Sequence, residues 1–410
     1  MKLYLENIGK IKKAYVEING ITVIAGKNDT GKSTVGKALF SIFNSFYNVS
    51  RRIESEKYNG IDNILYREFD YWGRSDEESL TKKIMNLSNE EKKDVKTIFN
   101  IINNEGSIAL PPEDDCAKSI ERIIEYLNVD DEIIFKHLVE EMFDAEFNEQ
   151  INNIYDDSIG KVALTIKDNN VYIEFVNNNI SKISDMLTLK TEAIYIDDPF
   201  IVDEIQAGLR RNRTRNHREH LRHILTYGVG RDKNLIKEIL VNNKFNNIYN
   251  KVSKICYGSF VRGKNRSLEY RLPGQEATLN LKNLSTGMKT FVILKRLLET
   301  TALEENGTII LDEPEIHLHP EWQLLFAELI VLLQKEFDMH IILNTHSPYF
   351  LNALEVYSQK YKIDDRCKYY TTVEKNGFIE IEDVTNETEV IYDTLATPLQ
   401  VLEEERFSND

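Results

Sequence analysis

The chain has 410 residues, a formal net charge of −16, 41% hydrophobic residues and 29% charged residues. This length allows two or three domains with a large core, and this composition is that of a globular protein. No apolar run approaches the roughly 18 residues of a membrane helix, and the first residues lack the apolar core of a signal peptide. Three scattered cysteines predict no disulfide framework. We therefore expect a cytoplasmic protein without membrane contact, whose bulk surface does not bind nucleic acid non-specifically.

Three short strands are predicted at 3–5, 14–18 and 21–25. The third strand leads into the glycine-rich loop Gly26-Lys27-Asn28-Asp29-Thr30-Gly31-Lys32-Ser33-Thr34, and a helical pattern begins at Val35. A strand, a glycine loop and a helix in this order are the context of a phosphate-binding P-loop. We expect backbone N–H groups to surround an anion there, Lys32 to reach the β- and γ-phosphates and Ser33 to ligate Mg²⁺.

The composition changes between residues 45 and 158, where Asn, Glu, Lys, Asp and Ile dominate and apolar residues recur at helical spacing. This pattern predicts an inserted helical region, and no heptad repeat persists long enough for a coiled-coil arm. Strands are then predicted at 162–166 and 171–175, joined as a hairpin through Asp168-Asn169-Asn170. Further elements are predicted at 193–196 (strand), 200–255 (helical) and 259–262, 268–271 and 277–281 (strands).

Three later segments could complete a phosphate site. The apolar strand from residue 308 ends in Asp312 and Glu313. The first carboxylate can hold Mg²⁺ through water, and the second can accept a proton from a water that attacks the γ-phosphate. Ser285, which precedes a helix predicted at 291–303, is either an N-cap or a hydroxyl presented to a γ-phosphate from another subunit. His346 ends the strand that begins at 341 and is either structural or placed to contact the γ-phosphate.

Together these motifs resemble the ABC-type ATPase heads of the SMC, RecF and OLD-like group, and most closely the compact bacterial ATPases of anti-phage defence operons. The resemblance covers residues 1–44 and about 255–352. The helical insertion has no recognisable match. The matching motifs are Gly26–Thr34 (Walker A), Leu284–Lys289 (signature), Leu311–Glu313 (Walker B), Pro314–Pro320 (the segment after Walker B) and Thr345-His346-Ser347 (switch histidine).

The resemblance implies ATP and Mg²⁺ as cofactors and a homodimer whose two heads share two ATP sites. The signature departs from the transporter pattern at Thr286 and Met288, which predicts slow activation in trans. The family's Q-loop glutamine has no assigned position in this sequence. The resemblance implies that Lys32 and Thr34 bind phosphate within the loop of Gly26, Asn28 and Gly31, and that Ser33 and Asp312 bind Mg²⁺. It implies a catalytic role for Glu313 as base, for His346 as γ-phosphate sensor and for Lys32. Ser285 and Gly287 are implied to cap the ATP of the partner subunit.

His317 and His319 flank a single residue in the segment after Walker B. They could ligate zinc only if the local chain splayed suitably. The resemblance explains them without metal, as part of a loop that communicates across the dimer.

A basic segment, residues 210–223, holds six arginines and one acid within a chain of net charge −16. It could be a solvated helix face or an ion-pair partner for the acidic insertion. It could also contact the phosphates of a nucleic acid through Arg210–Arg222. Arg215 with His220, and Arg218 with His223, show the Arg-x4-His spacing of HEPN ribonucleases, although this spacing arises easily in Arg- and His-rich sequence.

The predicted fold is a mixed α/β ABC-type P-loop ATPase head with N-terminal antiparallel strands, a parallel core sheet and a helical insertion lobe. The predicted domains are the N-terminal part of the ATPase core with Walker A (1–44), the helical insertion (45–158) and the C-terminal part of the core with the other motifs (159–410).

The expected function is a dimeric, ATP-gated switch in anti-phage defence that controls a separate effector such as a nuclease. The alternative is a DNA-repair ATPase of the RecF or SMC type that clamps on DNA, although long heptad arms are not found. A transporter subunit is disfavoured because Pro314–Pro320 lacks the small-residue and Leu-Asp pattern that normally follows Walker B. Only 64 residues follow His346, so we expect no Toprim domain of the OLD nucleases in this chain.

Overall fold

The protein is described from a computed structural model, which covers residues 1–71, 79–105, 112–155, 157–205, 216–228, 247–263 and 268–407. The chain divides into two compact units. Unit 1 comprises residues 1–45, 139–185 and 191–410, and unit 2 comprises residues 46–138 and 186–190. Within the described ranges, every helix is too short or too polar to cross a membrane.

Fourteen strands are found in the described residues, all of them in unit 1. They are β1 (Lys2–Ile8), β2 (Ile11–Glu17), β3 (Ile21–Ala25), β4 (Gly160–Ile166), β5 (Asn169–Val176), β6 (Asn179–Ile183), β7 (Ala193–Ile196), β8 (Ser259–Arg262), β9 (Leu268–Arg271), β10 (Thr278–Asn280), β11 (Thr308–Asp312), β12 (His340–Thr345), β13 (Cys367–Lys375) and β14 (Phe378–Asp383).

The helices are distributed over both units, with short 3₁₀ segments at Glu91–Lys93, Pro199–Glu204, Leu281–Asn283 and Asp364–Arg366. The α-helices of the described residues are α1 (Lys32–Ser45), α2 (Val49–Phe69), α3 (Leu80–Met85), α4 (Val95–Glu105), α5 (Glu113–Asn128), α6 (Asp131–Phe147), α7 (His217–Tyr227), α8 (247–255), α9 (Thr286–Glu299), α10 (Pro320–Phe337), α11 (Pro348–Tyr361) and α12 (Glu389–Phe407).

Unit 1 is built on an eleven-stranded sheet in the order β6-β5-β4-β1-β2-β14-β13-β3-β12-β11-β7, and β10-β9-β8 form a smaller antiparallel sheet. Strands β6 to β2 pair antiparallel. Strands β13, β3, β12, β11 and β7 pair parallel. This arrangement confirms the predicted mixed α/β fold, in which N-terminal antiparallel strands stand beside a parallel core.

The parallel core is buried on both faces. All five residues of β3 are buried, as expected for a parallel strand covered by helices on both sides. Its cluster of buried side chains continues through β11, β12 and the apolar faces of α9, α10 and α11. Because α11 begins immediately at Pro348, with the Ser347 side chain accepting a hydrogen bond from the Phe350 N–H (3.2 Å), the chain turns sharply after β12. His346 is therefore held next to the end of a core strand.

Unit 2 has a hydrophobic core of its own, formed by α2, α3, α4 and α5. The apolar residues recur every three or four positions in these helices, so that each presents one apolar stripe. The buried members of this core are Ile61, Ile64, Leu65, Phe69, Leu80, Ile84, Ile98, Ile102, Cys116, Ile120, Ile123 and Leu127.

Three strands of the large sheet, β6, β13 and β14, were not among the predicted elements. Strands β13 and β14 are joined by Asn376-Gly377, whose φ values are +54° and +81°. An Asn-Gly pair with positive φ at both residues is the turn that a two-residue hairpin requires. Within the predicted helical stretch 200–255, the described residues form a 3₁₀ segment, α7 and α8, and the remainder lies outside the described ranges.

Candidate active site

The register of three parallel strands assembles the predicted motifs at one edge of the sheet. Thr345 at the end of β12 pairs with Ala25 at the end of β3, and Asp312 at the end of β11 pairs with Asn344. The P-loop, the acidic pair and the switch histidine each follow one of these strands. They therefore meet at the carboxyl edge of the core sheet, where open α/β sheets bind ligands.

The P-loop wraps closely because its glycines adopt conformations closed to other residues. Gly26 has φ +156°, and a Cβ there would lie 2.1 Å from Thr372 Oγ1 of the adjacent strand β13. The Lys32 ammonium is buried inside the loop and donates hydrogen bonds to the carbonyls of Gly26 (3.0 Å) and Lys27 (2.6 Å). Burial lowers the pKa of Lys32, against the opposing effect of nearby carboxylates, of which Glu313 acts most strongly.

The Asp312 carboxylate is oriented by two neutral donors. Its Oδ2 accepts a hydrogen bond from the Tyr195 hydroxyl (3.0 Å), and its Oδ1 accepts one from the Asn344 amide (2.8 Å). Each oxygen keeps acceptor capacity beyond its single bond. Ser33 and Asp312 line the same cavity of about 450 Å³. A hydroxyl and a carboxylate are the hard oxygen ligands that Mg²⁺ prefers, so the residues present fit this ion.

Glu313 and His346 approach each other across the ends of β11 and β12. Glu313 Oε1 lies 3.2 Å from His346 Nδ1, and both side chains are partly exposed. Glu313 also has φ +48°, a left-handed conformation that is uncommon for a residue with a side chain. Such backbone outliers concentrate at functional sites. The Glu313 side chain lines two cavities, one that contains the P-loop and one that contains Asp312.

Glu315 is a residue of this site that the sequence did not single out for a role. It is buried, and its Oε1 accepts hydrogen bonds from the Thr345 hydroxyl and from the His346 N–H (3.3 Å). Burial raises its pKa, against the effect of the Thr345 hydrogen bond. Glu315 therefore ties the segment after Walker B to the switch histidine. The sequence signal that could have identified Glu315 is its position two residues after Glu313. A carboxylate that is buried there needs a hydrogen-bond partner.

The signature residues lie at the start of α9. Ser285 occupies the N-cap position and is exposed, and its hydroxyl makes no capping hydrogen bond. Gly287 is buried, and a Cβ there would lie 2.9 Å from the His317 carbonyl oxygen and 3.2 Å from the Trp322 ring. Lys289 is also buried and pairs with Asp203 at 2.7 Å. The start of α9 is thus fixed against the segment that follows Walker B, and Ser285 faces outward.

The segment after Walker B contains both histidines that were considered as metal ligands. His317 and His319 are exposed, and the His317 ring packs edge-on against Phe200 with centroids 5.8 Å apart. In the described ranges, no group of three or more His, Cys, Asp or Glu side chains is arranged to hold a metal ion.

The described end of the basic segment forms the first turns of α7, and its charged side chains pair within the chain. Arg218 donates to Asp198 (2.8 Å) and Glu204 (2.7 Å), and Arg222 lies 3.8 Å from Glu204. His220 Nε2 lies 3.0 Å from Glu192. These pairs lie within the chain, but their acidic partners Glu192, Asp198 and Glu204 lie outside the insertion 45–158 that was the predicted partner. Arg210, Arg211, Arg213 and Arg215 lie outside the described residues.

His217, the first residue of α7, is buried between two carboxylates. Its Nδ1 lies 2.6 Å from Glu146 Oε1, and its Nε2 lies 2.9 Å from Asp197 Oδ2. Burial lowers the pKa of His217, but the two carboxylates outweigh it and raise the pKa to about 9. The imidazole ring stacks on Tyr195 with centroids 4.4 Å apart. A cationic histidine therefore supports the tyrosine that holds Asp312.

The chain is similar to several known proteins. A family described as "AAA domain, putative AbiEii toxin, Type IV TA system" matches residues 21–352. A Vibrio cholerae protein named "Retron Vc95 probable ATPase" is 33% identical over 22% of this chain and 19% of its own length. The OLD nuclease of Thermus scotoductus is 32% identical over 22% of this chain and 16% of its own length. The chain thus matches less than a fifth of these curated relatives.

Among solved structures, the SMC head domain from Thermotoga maritima covers 93% of this chain, and the match spans 98% of that domain, with 14% identity and a TM-score of 0.36. The family match and the two curated relatives confirm the predicted resemblance to ATPases of the ABC, SMC and OLD-like group. Since the family match extends over most of its length, the chain belongs to the AAA_21 family of AAA-domain ATPases.

Proposed function

We propose that this chain binds ATP with Mg²⁺ and hydrolyses it to ADP and phosphate at the carboxyl edge of the core sheet. The observation that carries the proposal is the convergence there of a P-loop lysine, a serine–aspartate oxygen pair and a glutamate beside a histidine. Bound Mg²⁺, held by Ser33 and Asp312, would neutralise charge on the phosphate oxygens. Phosphoryl transfer needs mainly such positioning and charge stabilisation from the protein.

Each side chain has a distinct task in this proposal. Lys32 presents its ammonium to the β- and γ-phosphates, which take the place of the loop carbonyls as its partners. Glu313 accepts the proton of the water that attacks the γ-phosphate. His346, whose Nδ1 lies 3.2 Å from Glu313 Oε1, contacts the γ-phosphate. Its backbone N–H donates a hydrogen bond to Glu315, which holds the residue in place.

The proposed active form is a dimer in which Ser285 of one subunit caps the ATP of the other. Two observations support this role. Ser285 is exposed at a helix N-terminus, where backbone N–H groups and the helix dipole favour an anion. Its hydroxyl is not used as a cap for its own helix, so it remains available for an external acceptor.

We further propose that the dimer is an ATP-gated switch that controls a separate effector in anti-phage defence. The similarity to a retron ATPase and to an OLD nuclease supports this class of function. A DNA clamp is the alternative, with the basic segment as its contact. The intramolecular pairing of Arg218 and Arg222 weighs against the described half of that segment as a DNA surface.

The proposal is tested with the purified chain by phosphate release and by light scattering, each with and without Mg²⁺. We expect Mg²⁺-dependent hydrolysis and an increase in molecular mass when ATP is present. Lys32→Ala should lose both, whereas Lys335→Ala, a change of another lysine in the last turn of α10, should lose neither. A wild-type chain that binds no ATP, with or without Mg²⁺, would overturn the proposal. A pull-down from the native host then separates the two alternatives, because the switch should capture a separate effector protein and the DNA clamp should not.

A further inference from the structure

The loop 148–155, between α6 and β4, presents two apolar side chains beside the P-loop. Ile154 is 68% exposed and Tyr155 is 78% exposed, the latter the highest value for a large apolar or aromatic side chain in the described residues. Both line a cavity of about 450 Å³ that is also lined by P-loop residues 28–34. Two neighbouring exposed apolar residues at a polar cavity need an explanation, because burying them would be favourable.

The backbone of this loop is held in place by asparagine side chains. Asn178 Oδ1 accepts hydrogen bonds from the N–H groups of Ile151 (2.9 Å) and Asn152 (2.8 Å), and Asn152 Oδ1 accepts one from the Asn178 N–H (2.9 Å). Asn153 Oδ1 accepts a hydrogen bond from the Tyr155 N–H (2.8 Å). The exposure of Tyr155 is therefore a built feature of the fold.

The same loop is attached to the turn between β1 and β2. The Gly9 N–H donates to the Ile151 carbonyl (2.9 Å), and the Asn153 N–H donates to the Asn7 carbonyl (3.3 Å). Gly9 and Lys10 of that turn line the same cavity. One connected set of hydrogen bonds thus fixes the loop relative to the turn, and both border the space next to the P-loop.

We infer that Ile154 and Tyr155 form the nucleobase-binding surface of this ATPase, an inference that rests on the proposed function. A nucleotide whose phosphates lie in the P-loop must place its ribose and base against the other walls of the cavity. Lys10, Lys32 and Lys37 supply the positive charge of that cavity, and Ile154 and Tyr155 supply its exposed apolar side chains. An aromatic ring binds a base through stacking, and an aliphatic side chain packs against it.

This surface selects for nucleoside triphosphates as a class and discriminates little between bases. Stacking tolerates every base because every base has a π-face. Two of the four amide side chains that line the cavity are engaged by the protein itself: Asn152 Nδ2 donates to the Ser158 and Phe175 carbonyls (both 3.2 Å), and Asn153 Oδ1 accepts from the Tyr155 N–H. Base discrimination of many orders of magnitude requires buried polar groups that pair with the base.

The experiment is calorimetric titration of the full chain with ATP, GTP and inorganic tripolyphosphate. We expect wild type to bind ATP and GTP within about ten-fold of each other and both more tightly than tripolyphosphate. Tyr155→Ala should weaken ATP binding by roughly ten-fold, because one lost stack has about that effect, and should leave tripolyphosphate binding unchanged. Tyr155→Phe should retain wild-type affinity. Tyr15→Ala, which removes an exposed tyrosine of β2 that does not line the cavity, is the matched control.

Three results would overturn the inference, and a fourth would overturn the proposed function. One is unchanged ATP affinity in Tyr155→Ala together with Ile154→Ala, which would leave the pair as a contact surface for a second copy or another protein. The second is an equal loss of ATP and tripolyphosphate binding, which would indicate a distorted P-loop. If wild type binds tripolyphosphate but binds ATP no more tightly, the inference of a nucleobase-binding surface fails, whereas the phosphate site is retained. If wild type binds none of the three ligands, the proposed function itself fails.

Discussion

The hydroxyl of Tyr195 donates a 3.0 Å hydrogen bond to Oδ2 of Asp312, and this contact connects two strands that lie side by side in the core sheet. Tyr195 is fully buried, and burial raises its pKa well above the ordinary value, so the hydroxyl stays protonated and can only donate to a carboxylate. Its ring rests on the cationic His217. The orientation of the proposed Mg²⁺ ligand therefore depends on a helix that carries none of the ATPase motifs.

Tyr195→Phe should weaken Mg²⁺ binding without removing the nucleotide site. The variant keeps the ring that stacks on His217 but removes the donor to Asp312. Loss of such an outer partner costs a metal site about 10–100-fold in affinity. The Mg²⁺ concentration for half-maximal ATP binding should rise accordingly, whereas ATP affinity in EDTA should not change. Tyr370→Phe is the matched control, since it removes another buried hydroxyl that accepts from the Glu17 N–H. Equal Mg²⁺ dependence in the two variants would argue against the role of Tyr195.

The paired His217 should make stability fall in alkaline solution. Its pKa is raised from 6.5 to about 9 in the fold, because Asp197 and Glu146 favour the charged ring more than burial disfavours it. A group with a raised pKa binds its proton more tightly when folded, so its contribution is complete below about pH 6.5 and is lost as the pH rises towards 9. Melting temperatures of wild type should decline across this window.

In His217→Gln this component of the decline should be absent. His220→Gln, a change of another buried histidine of α7 that faces the single carboxylate Glu192, should retain it. The charged groups that face His217 are Glu146 and Asp197, and Arg218 lies beside Asp197 and does not titrate in this range. A parallel decline in wild type and His217→Gln would contradict the assignment.

Glu313→Gln should bind ATP but hydrolyse it at least about 100-fold more slowly. The substitution keeps the shape and hydrogen-bonding capacity of the side chain and removes the proton acceptor, and general bases contribute about 10²–10⁴-fold. The ATP-bound dimer should accumulate and be visible by light scattering. Glu321→Gln, at an exposed acid in the first turn of α10, should behave as wild type. Near-normal turnover of Glu313→Gln would exclude Glu313 as the base.

The core of the site could be predicted from the sequence because each part is a local pattern. The strands β3, β11 and β12 are apolar runs, and each is followed at once by polar residues of defined chemistry. Parallel strands bring their carboxyl ends together, so these patterns predict a shared site without knowledge of the tertiary contacts.

The supporting residues could not be predicted in the same way. Tyr195 and Asp312 are far apart in the sequence, and so are Glu146 and His217. Such pairs depend on strand order and helix packing, which no local pattern encodes. Strands β13 and β14 carry many polar residues at alternating positions and were missed, although Asn376-Gly377 between them was a usable turn signal.

Arg218→Gln tests the described half of the basic segment. Arg218 pairs with Asp198 and Glu204, and its side chain is partly exposed, so its loss should lower the free energy of unfolding by about 1 kcal/mol or less. Affinity for DNA or RNA in an electrophoretic shift should not change. Simultaneous neutralisation of Arg210, Arg211, Arg213 and Arg215 is the companion variant. A loss of nucleic-acid affinity and a flatter salt dependence in the companion alone would assign binding to those four residues.

Ser285→Arg tests whether the ATP sites are shared between subunits. Ser285 is exposed and makes no capping bond of its own, so a large cation there should leave the fold and nucleotide binding intact. If Ser285 caps the partner's ATP, the arginine blocks closure, and both dimerisation with ATP and hydrolysis are abolished.

Lys32→Ala fails for the opposite reason, since it retains Ser285 and lacks the P-loop cation. A mixed dimer of the two variants then holds one site with an intact P-loop and an intact Ser285. We expect the mixture to regain part of the wild-type hydrolysis rate, measured by phosphate release over a series of ratios. Asn283→Arg places the same charge on a neighbouring exposed residue and controls for charge repulsion between the subunits. This variant should hydrolyse ATP without a second variant in the mixture. Absence of recovery at every ratio, with each variant folded by its melting temperature, would mean that each subunit works with its own site.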